Sequence, residues 1–274
     1  MEPRSFPPDV FARLAPEIYF ERFLEQGSRP TGRKFTEFRP LLVQQGRQSE
    51  LAPSALGSAV VRAGQATVIC GISGGLTDFE NEGGVYANVE IHRGGRSGAP
   101  TAEEMVLTRR THELILAAQI DPSNFKIDIP DSIEPCRKEL VLNASIRVLS
   151  RTGPCLDLVW AALVAALNDT RIPLFAEDER THNIIPTCER KPLVLPETLV
   201  SSVSTFGLLK SGEVLADPDG PTEEACISNY VNVAKTDNGL LTKFSLLCTD
   251  TTDGVDAEKI GEILSLAGRP VSTV

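Results

Sequence analysis

The sequence has no uninterrupted apolar stretch of about 18 residues, so it contains no candidate membrane-spanning helix. The opening residues Met1–Pro8 carry an acid and several prolines but no apolar core, so they do not predict a secretory signal. We interpret them as an arm, either ordered or loose. At 274 residues the chain is long enough to bury a sizeable core. We therefore expect a globular protein without a membrane partner.

Patterns typical of metal sites and disulfide frameworks are also missing. The six cysteines include no pair at C-x-x-C spacing, and the three histidines form no H-E-x-x-H pattern. Without a secretory signal, the thiols are expected to be reduced. The apolar neighbours of Cys70 and Cys248 are typical of structural thiols. The sequence predicts no metal site, no cofactor and no cysteine nucleophile.

Positive charge is scarce. Lys and Arg number 27 against 37 Asp and Glu, giving a formal net charge of −10 and a pI of about 4.9. A domain that binds nucleic acid unaided normally has a basic surface, because phosphate contacts dominate affinity. Any nucleic-acid contacts are therefore predicted to be few and shared with neighbouring chains.

The patterns that are present predict helices mixed with antiparallel strands. Apolar periodicity favours helices over residues 17–26, 101–119, 156–167 and 257–266, the second opened by a capping box at Thr101–Glu104. Hairpins are predicted over 58–72 and 228–248, and strands over 140–149, 193–195, 200–209 and 213–217. No low-complexity linker interrupts the chain. We expect one α+β domain over residues 1–274, with an arm and helix at about 1–27.

A glycine-rich segment at 73–84 raises the possibility of a phosphate-binding loop. Such a loop needs a lysine and a helix whose N-terminus faces the ligand, and this segment has acids and no following helix. We interpret it as a mobile connection.

Four segments, in this order, resemble RNase PH-like proteins across nearly the whole chain. They are Arg29-Pro30-x-Gly32-Arg33 with Phe38-Arg39, the hairpin from Gly57 to Ile69, Leu156-Asp157-x-x-Trp160 through Pro173, and Leu215-x-Asp217-Pro218 with Glu223-Glu224-Ala225. The resemblance implies an RNase PH fold, of the ribosomal protein S5 domain 2-like type, in which antiparallel sheets pack against helices.

Two further segments, Phe6–Glu17 and Val148–Pro154, resemble the fungal form of a core subunit of the eukaryotic RNA exosome. That branch implies a hexameric ring of RNase PH-like subunits, capped by RNA-binding subunits, which leads RNA to an associated processive exoribonuclease. It also implies a structural part in 3′–5′ RNA degradation and ribosomal RNA maturation, in the nucleus, including the nucleolus, and in the cytoplasm.

The sequence departs from the active members of that family where they bind phosphate. Active members carry a Gly-rich turn with Arg and Ser or Thr before the buried helix, and this chain has Thr152–Asp157 there. Pro154 has no backbone N–H to donate, Asp157 repels phosphate, and Arg151 alone is a poor anion site. We therefore assign no catalytic residue and expect an inactive member.

The acidic residues of the resemblance are also incomplete. Glu223 and Glu224 remain near one carboxylate position of the active members, but Ser228-Asn229 stands at the second, where an amide cannot act as a base. We expect the cluster Asp217, Asp219, Glu223 and Glu224 to be a solvent-exposed turn.

Arg93, Arg96 and Arg151 are the predicted RNA contacts. Arg93 and Arg96 lie among glycines in His92–Gly98, where the backbone allows close approach to phosphates. Two other interpretations of this segment stay open: an ordinary exposed loop, and ion pairs with a neighbouring subunit. Arg109 and Arg110 are expected on a solvated helix face with Glu113.

Two further residues, Arg29 and Arg33, are expected to fix the N-terminal turn.

Two alternative functions also stay open. One is an active phosphorolytic 3′–5′ exoribonuclease, and the other is a small-molecule or nucleotide-binding protein on a related scaffold. The glycine-rich segment at 73–84 is the sole support for the second.

Overall fold

The computed structural model describes residues 7–46, 55–78, 83–95, 98–127, 138–178, 184–209, 212–248, 256–268 and 271–273. The helices are α1 (Pro8–Leu14), α2 (Pro16–Leu24), α3 (Ala102–Ala118), α4 (Leu156–Asp169), α5 (Pro221–Cys226) and α6 (Ala257–Leu266). Within these ranges, none is long and apolar enough to span a membrane. The strands are β1 (Leu41–Gln45), β2 (Gly57–Ala63), β3 (Ala66–Asp78), β4 (Gly84–Ile91), β5 (Lys138–Ser150), β6 (Arg171–Glu177), β7 (Ile184–Pro192), β8 (Val200–Leu209), β9 (Val214–Ala216), β10 (Ile227–Thr236), β11 (Leu241–Cys248) and β12 (Val271–Thr273).

The strands form two main sheets and a separate hairpin. The larger sheet has the order β12-β1-β2-β3-β5-β4, and the smaller has the order β11-β10-β8-β9. Among the described strands, β6 pairs only with β7. Neighbouring strands are antiparallel except for the pairs β1–β12 and β4–β5. The predicted α+β layout of antiparallel sheets packed against helices is confirmed.

Helix α4 joins the two sheets. It packs against β1, β2, β3 and β5 of the larger sheet and against β8 of the smaller one. Its central Trp160 is fully buried, and the indole Nε1 donates a hydrogen bond of 2.9 Å to the Val200 carbonyl. Because α4 is apolar nearly all round, it is enclosed on most sides. This packing fixes the position of its N-terminus, next to the candidate site.

Most predicted elements are found close to their predicted bounds. In β5, the five alternate residues from Leu140 to Val148 are all buried, as the period-two pattern predicts. The hairpin of β2 and β3 turns at Gly64, whose φ of +57° suits glycine. At the start of α3, the Thr101–Glu104 capping box is formed from both sides.

Two predicted features are wrong. Residues 73–78 of the glycine-rich segment are strand rather than a connection, because β3 continues to Asp78 along the long partner β5. Residues 193–195 form no strand. Strand β7 ends at Pro192, directly before this segment, and Pro196 follows it; a proline cannot donate to a sheet ladder.

Candidate functional site

The turn before α4 is packed against the loop that follows β9. The Thr152 carbonyl accepts a hydrogen bond from the Gly220 backbone N–H. A side chain on Gly153 would collide with the Pro218 carbonyl, so this close approach requires glycine. The two segments that carry the phosphate and carboxylate positions of the family resemblance therefore lie in contact.

Arg39 joins this turn to two carboxylates. Its Nε and Nη2 donate to the two oxygens of Asp217 at 2.9 and 2.7 Å, and its Nη1 donates to Asp219 at 3.0 Å and to Thr152 Oγ1 at 2.7 Å. Burial by itself lowers the pKa of Arg39, but the Asp217 and Asp219 carboxylates outweigh it and raise the pKa above its ordinary value. The guanidinium is held in a bidentate, charge-assisted arrangement.

Arg29 and Glu223 form a fully enclosed ion pair beside it. The exposed fractions are 1% for Arg29 and 0% for Glu223, and the two donor–acceptor distances are 3.0 and 2.6 Å. The remaining donors of Arg29 reach the carbonyls of Lys34, Ala216 and Asp217 at 3.4, 2.9 and 3.1 Å. All the N–H groups of this guanidinium are therefore used within the protein.

Arg33 completes the group. Its Nη1 lies 3.3 Å from Asp217 Oδ2, and its Nη2 lies 3.5 Å from Asp219 Oδ2. Burial and the neighbouring Arg29 lower the pKa of Arg33, while Asp217 opposes that shift. We refer to Arg29, Arg33, Arg39, Asp217, Asp219 and Glu223 as the arginine–carboxylate cluster. Its formal charges cancel.

The prediction that this acidic turn is solvent-exposed is wrong. Asp217 and Glu223 are 2% and 0% exposed. The reason is the set of three arginines between α2 and β1, which makes burial of the carboxylates tolerable because each has a hydrogen-bonded cation. Arg29 also donates to the Lys34 carbonyl and Arg33 to the Glu37 carbonyl, so the prediction that these two arginines fix the N-terminal turn is confirmed.

Negative charge also surrounds the first turn of α4. Asp157 is 2% exposed and lies in that turn, at the positive end of the helix dipole, where a bound anion would lie. Burial raises the pKa of the Cys155 thiol to about 12, with further contributions from Asp157 and Glu103. A thiol in that state is not a nucleophile at neutral pH.

Glu224 lies near Arg151 but is not neutralised by it. Burial raises the pKa of Glu224, Arg151 opposes the shift, and Glu103 adds to it. Arg151 itself is ion-paired to Glu103. The second predicted carboxylate position holds Ser228 and Asn229, both buried in β10. Within the described ranges no group of three or more His, Cys, Asp or Glu side chains is placed to hold a metal ion.

The predicted RNA contacts Arg93 and Arg151 lie at one end of α3. Arg93 is ion-paired to Glu104, and Arg151 to the adjacent Glu103, both in the first turn of that helix. Each arginine keeps about a third or more of its side chain exposed, at 33% and 39%. Arg96 lies outside the described residues. A role in RNA binding remains a prediction for all three.

The predicted solvated pair on α3 is confirmed for only one of its two arginines. Arg109 is 83% exposed and lies 3.1 Å from Glu113. Arg110 is half-buried instead and faces the smaller sheet, because it lies one position further around the helix.

Sequence reasoning missed Arg39 as a member of the arginine–carboxylate cluster, although it stands in the Phe38-Arg39 segment of the resemblance.

Comparison with known proteins agrees on one family. Residues 37–173 match the RNase PH model, described as the 3′ exoribonuclease family, domain 1. The exosome complex component rrp43 of Schizosaccharomyces pombe is 30% identical over 230 residues, covering 80% of each chain. The exosome complex component Rrp42 of Pyrococcus abyssi is 27% identical over 222 residues, covering 79% of this chain and 77% of that one.

Solved structures show the same fold. An archaeal exosome core chain superposes with a TM-score of 0.70 at 20% identity, covering 95% of this chain and 94% of that one. A chain of the Archaeoglobus fulgidus exosome with RNA bound to the active site gives a TM-score of 0.73 at 20% identity, covering 94% and 95%. The fungal subunit that Phe6–Glu17 and Val148–Pro154 resemble, ribosomal RNA-processing protein 43, is also the relative found in fission yeast.

Proposed function

The chain belongs to the RNase PH family of 3′ exoribonucleases, and we propose that it is a non-catalytic structural subunit of an RNA exosome ring. In that role it forms part of the wall of an RNA channel, and cleavage is left to an associated processive exoribonuclease. The relatives named as exosome components, each matched over more than three quarters of its length, support this placement.

The arginine–carboxylate cluster carries the proposal that the chain is inactive. Phosphorolysis depends on holding a phosphate in line with the scissile bond, chiefly by positive charge and backbone donors. Arg39, the arginine bonded to the turn before α4, is already neutralised by Asp217 and Asp219. An incoming phosphate would have to displace those carboxylates and approach the buried Asp157 as well.

The proposed ring defines the partners of this chain. They are other RNase PH-like subunits, cap subunits with RNA-binding domains, the processive exoribonuclease and RNA. The substrates include ribosomal RNA precursors, and the places of action are the nucleus, with the nucleolus, and the cytoplasm. A fluorescent fusion at native expression level tests the location; exclusion from the nucleus would contradict it.

Membership in the ring is tested by purification from the native cell. A tagged chain expressed from its own promoter is expected to bring down RNase PH-like chains in a one-to-one ratio, measured by quantitative mass spectrometry. A tagged chain with Arg29→Met provides a folding-impaired comparison. Recovery of the unaltered chain alone as a monomer would contradict membership.

Inactivity within the ring is tested with Glu224→Gln. This change removes the half-buried carboxylate that lies near Arg151, close to a carboxylate position of the active members. If the chain is not a catalyst, the reconstituted complex degrades labelled RNA at an unchanged rate. A loss of about 100-fold, the size typical of removing a general acid or base, would support the alternative of an active phosphorolytic enzyme.

The nucleotide-binding alternative has lost its support in the described part of the chain. Its basis was the glycine-rich segment, and residues 73–78 of that segment are β-strand paired with β5.

A further inference from the structure

A pocket outside the arginine–carboxylate cluster lies between α3 and the smaller sheet. Residues of α3, the first residue of α4 and three strands (β8, β10 and β11) form its walls. Its apolar lining comes from Leu114, Leu156, Val203 and Ala234. Its volume, about 50 Å³, has room for about four water-sized groups.

Three hydrogen-bond donors that have no partner among the described residues line this pocket. Asn232 is 6% exposed, and its Oδ1 accepts from the buried Thr205 hydroxyl at 3.0 Å, which leaves the Nδ2 amide to the pocket. Ser245 stands directly opposite Asn232 in the β10–β11 ladder, and its hydroxyl has no hydrogen bond to another described side chain or carbonyl. The guanidinium of Arg110 likewise has none among the described residues.

The charge of the lining favours an anion. Among the described lining residues Glu113 is the one carboxylate, and it is bonded to both Lys243 and the outward-facing Arg109. Among the described residues Arg110 has no ion pair within 4.0 Å; burial lowers its pKa, and the nearby Glu113 opposes that shift. An amide N–H, a hydroxyl and a guanidinium all donate to oxygen. A half-buried donor without an acceptor destabilises the folded chain, and a bound ligand that accepts its hydrogen bond removes this cost.

We propose that this pocket binds a compact oxyanion of the phosphate type, either free phosphate or the terminal phosphate of a nucleotide. Arg110 supplies the charge, and Asn232 and Ser245 supply neutral hydrogen bonds. The volume accommodates the four oxygens of a phosphate and excludes a nucleobase from the interior. The inference does not depend on membership of the ring, and its site differs from the turn before α4.

Isothermal titration of the full chain with sodium phosphate, at ionic strength held constant with sodium chloride, tests the proposal. Binding is expected for the unaltered chain. Arg110→Gln is expected to weaken it by about 10-fold or more, because a hydrogen bond to a charged group is lost. Arg147→Gln, an exposed arginine on β5 outside the pocket, is the matched control and should change the affinity less than 2-fold. Absence of phosphate binding, or unchanged affinity in Arg110→Gln, overturns the proposal.

A second variant covers the case in which Arg110→Gln does not fold. Ser245→Ala removes one neutral donor from a half-buried position and is expected to weaken binding by about 5-fold. Loss of binding in Arg151→Gln with full binding in Ser245→Ala would place the phosphate at the turn before α4, contradicting this inference. Adenosine 5′-monophosphate in place of phosphate distinguishes the two sources: tighter binding indicates a nucleotide, and equal or weaker binding indicates the free ion.

Discussion

At the scale of single residues, the enclosed Arg29–Glu223 pair makes the sharpest stability prediction. Removing one partner of a buried ion pair leaves the other charge buried and unpaired. Arg29→Met is therefore expected to lower the free energy of unfolding by about 3–5 kcal/mol, measured by urea denaturation. The exposed pair of Arg109 and Glu113 gives the control, since Arg109→Met should cost less than about 1 kcal/mol. Equal losses in the two variants would contradict the burial argument.

Glu104 makes a prediction about pH. Backbone N–H groups of Thr101 and Ile91 lower the pKa of this carboxyl from 4.5 to about 2. Because the folded pKa lies below the unfolded value, the carboxylate stabilises the fold fully above pH 4.5, and that contribution is lost as the pH falls toward 2. The free energy of unfolding of the unaltered chain should exceed that of Glu104→Gln at pH 5, and this difference should become smaller as the pH is lowered to 3. A constant gap, or a midpoint near 4.5 in a carbon-13 NMR titration, would be inconsistent with these hydrogen bonds.

At the scale of elements, alternate side chains of β5 face the core and the solvent. Ile146 is fully buried in the sheet, and the next residue, Arg147, is 66% exposed. Ile146→Ala is expected to cost about 2–5 kcal/mol because it leaves a cavity. Arg147→Ala should change stability by no more than about 0.5 kcal/mol. Thermal or chemical unfolding of both variants checks the alternation, and a larger loss for Arg147→Ala would reverse the assigned faces.

The helices and strands that were predicted correctly are those whose sequence pattern lies within one short segment. The alternation of 140–149, the capping box at Thr101 and the turn at Asp237–Gly239 each lie within one short segment, and each is found where the pattern puts it. Strand β4 and the β6–β7 hairpin were missed, because their residues do not alternate cleanly between buried and exposed.

The candidate site was predictable only in part, for the same reason. Pro154 and Asp157 are visible as departures from the family pattern. The pairing of Arg29 with Glu223 joins residues 194 positions apart, and no local pattern reports such a contact. The acidic turn therefore looked solvated in the sequence, although arginines from the distant segment between α2 and β1 neutralise it.

At the scale of the whole molecule, apolar side chains are exposed at two places typical of protein contacts. They are Val10, Leu14 and Ile18 on the N-terminal helices, and Leu240, Leu241 and Leu246 at β11, which is an edge strand. Partners that cover these surfaces stabilise the folded chain by mass action. RNase PH-like partners, added at a concentration of 100 times Kd, are expected to raise the Tm of the chain by about 5 °C or more. Serum albumin, the control, is expected to leave the Tm unchanged. An unchanged Tm would argue against assembly through these surfaces.

The net charge of −10 shapes the expected RNA binding of the assembled ring. Arg93 and Arg151 each have a carboxylate partner, so an RNA phosphate must compete with Glu104 or Glu103. Arg151→Ala is expected to weaken RNA binding uniformly across sequences and to reduce the salt-dependence slope by about 1. Arg109→Ala, on the exposed face of α3, should leave the slope unchanged. No change in the Arg151 variant would remove it from the RNA contacts.

The most direct measurement is the incubation of the purified chain with 3′-labelled RNA and inorganic phosphate, followed by separation of the products. Phosphorolysis releases nucleoside diphosphates, and hydrolysis releases monophosphates. Because Asp217 and Asp219 hold Arg39 and Asp157 lies at the start of α4, we expect no nucleoside diphosphate above the protein-free control. Phosphate-dependent release of nucleoside diphosphate, lost on Glu224→Gln, would show a working site and contradict the structural role.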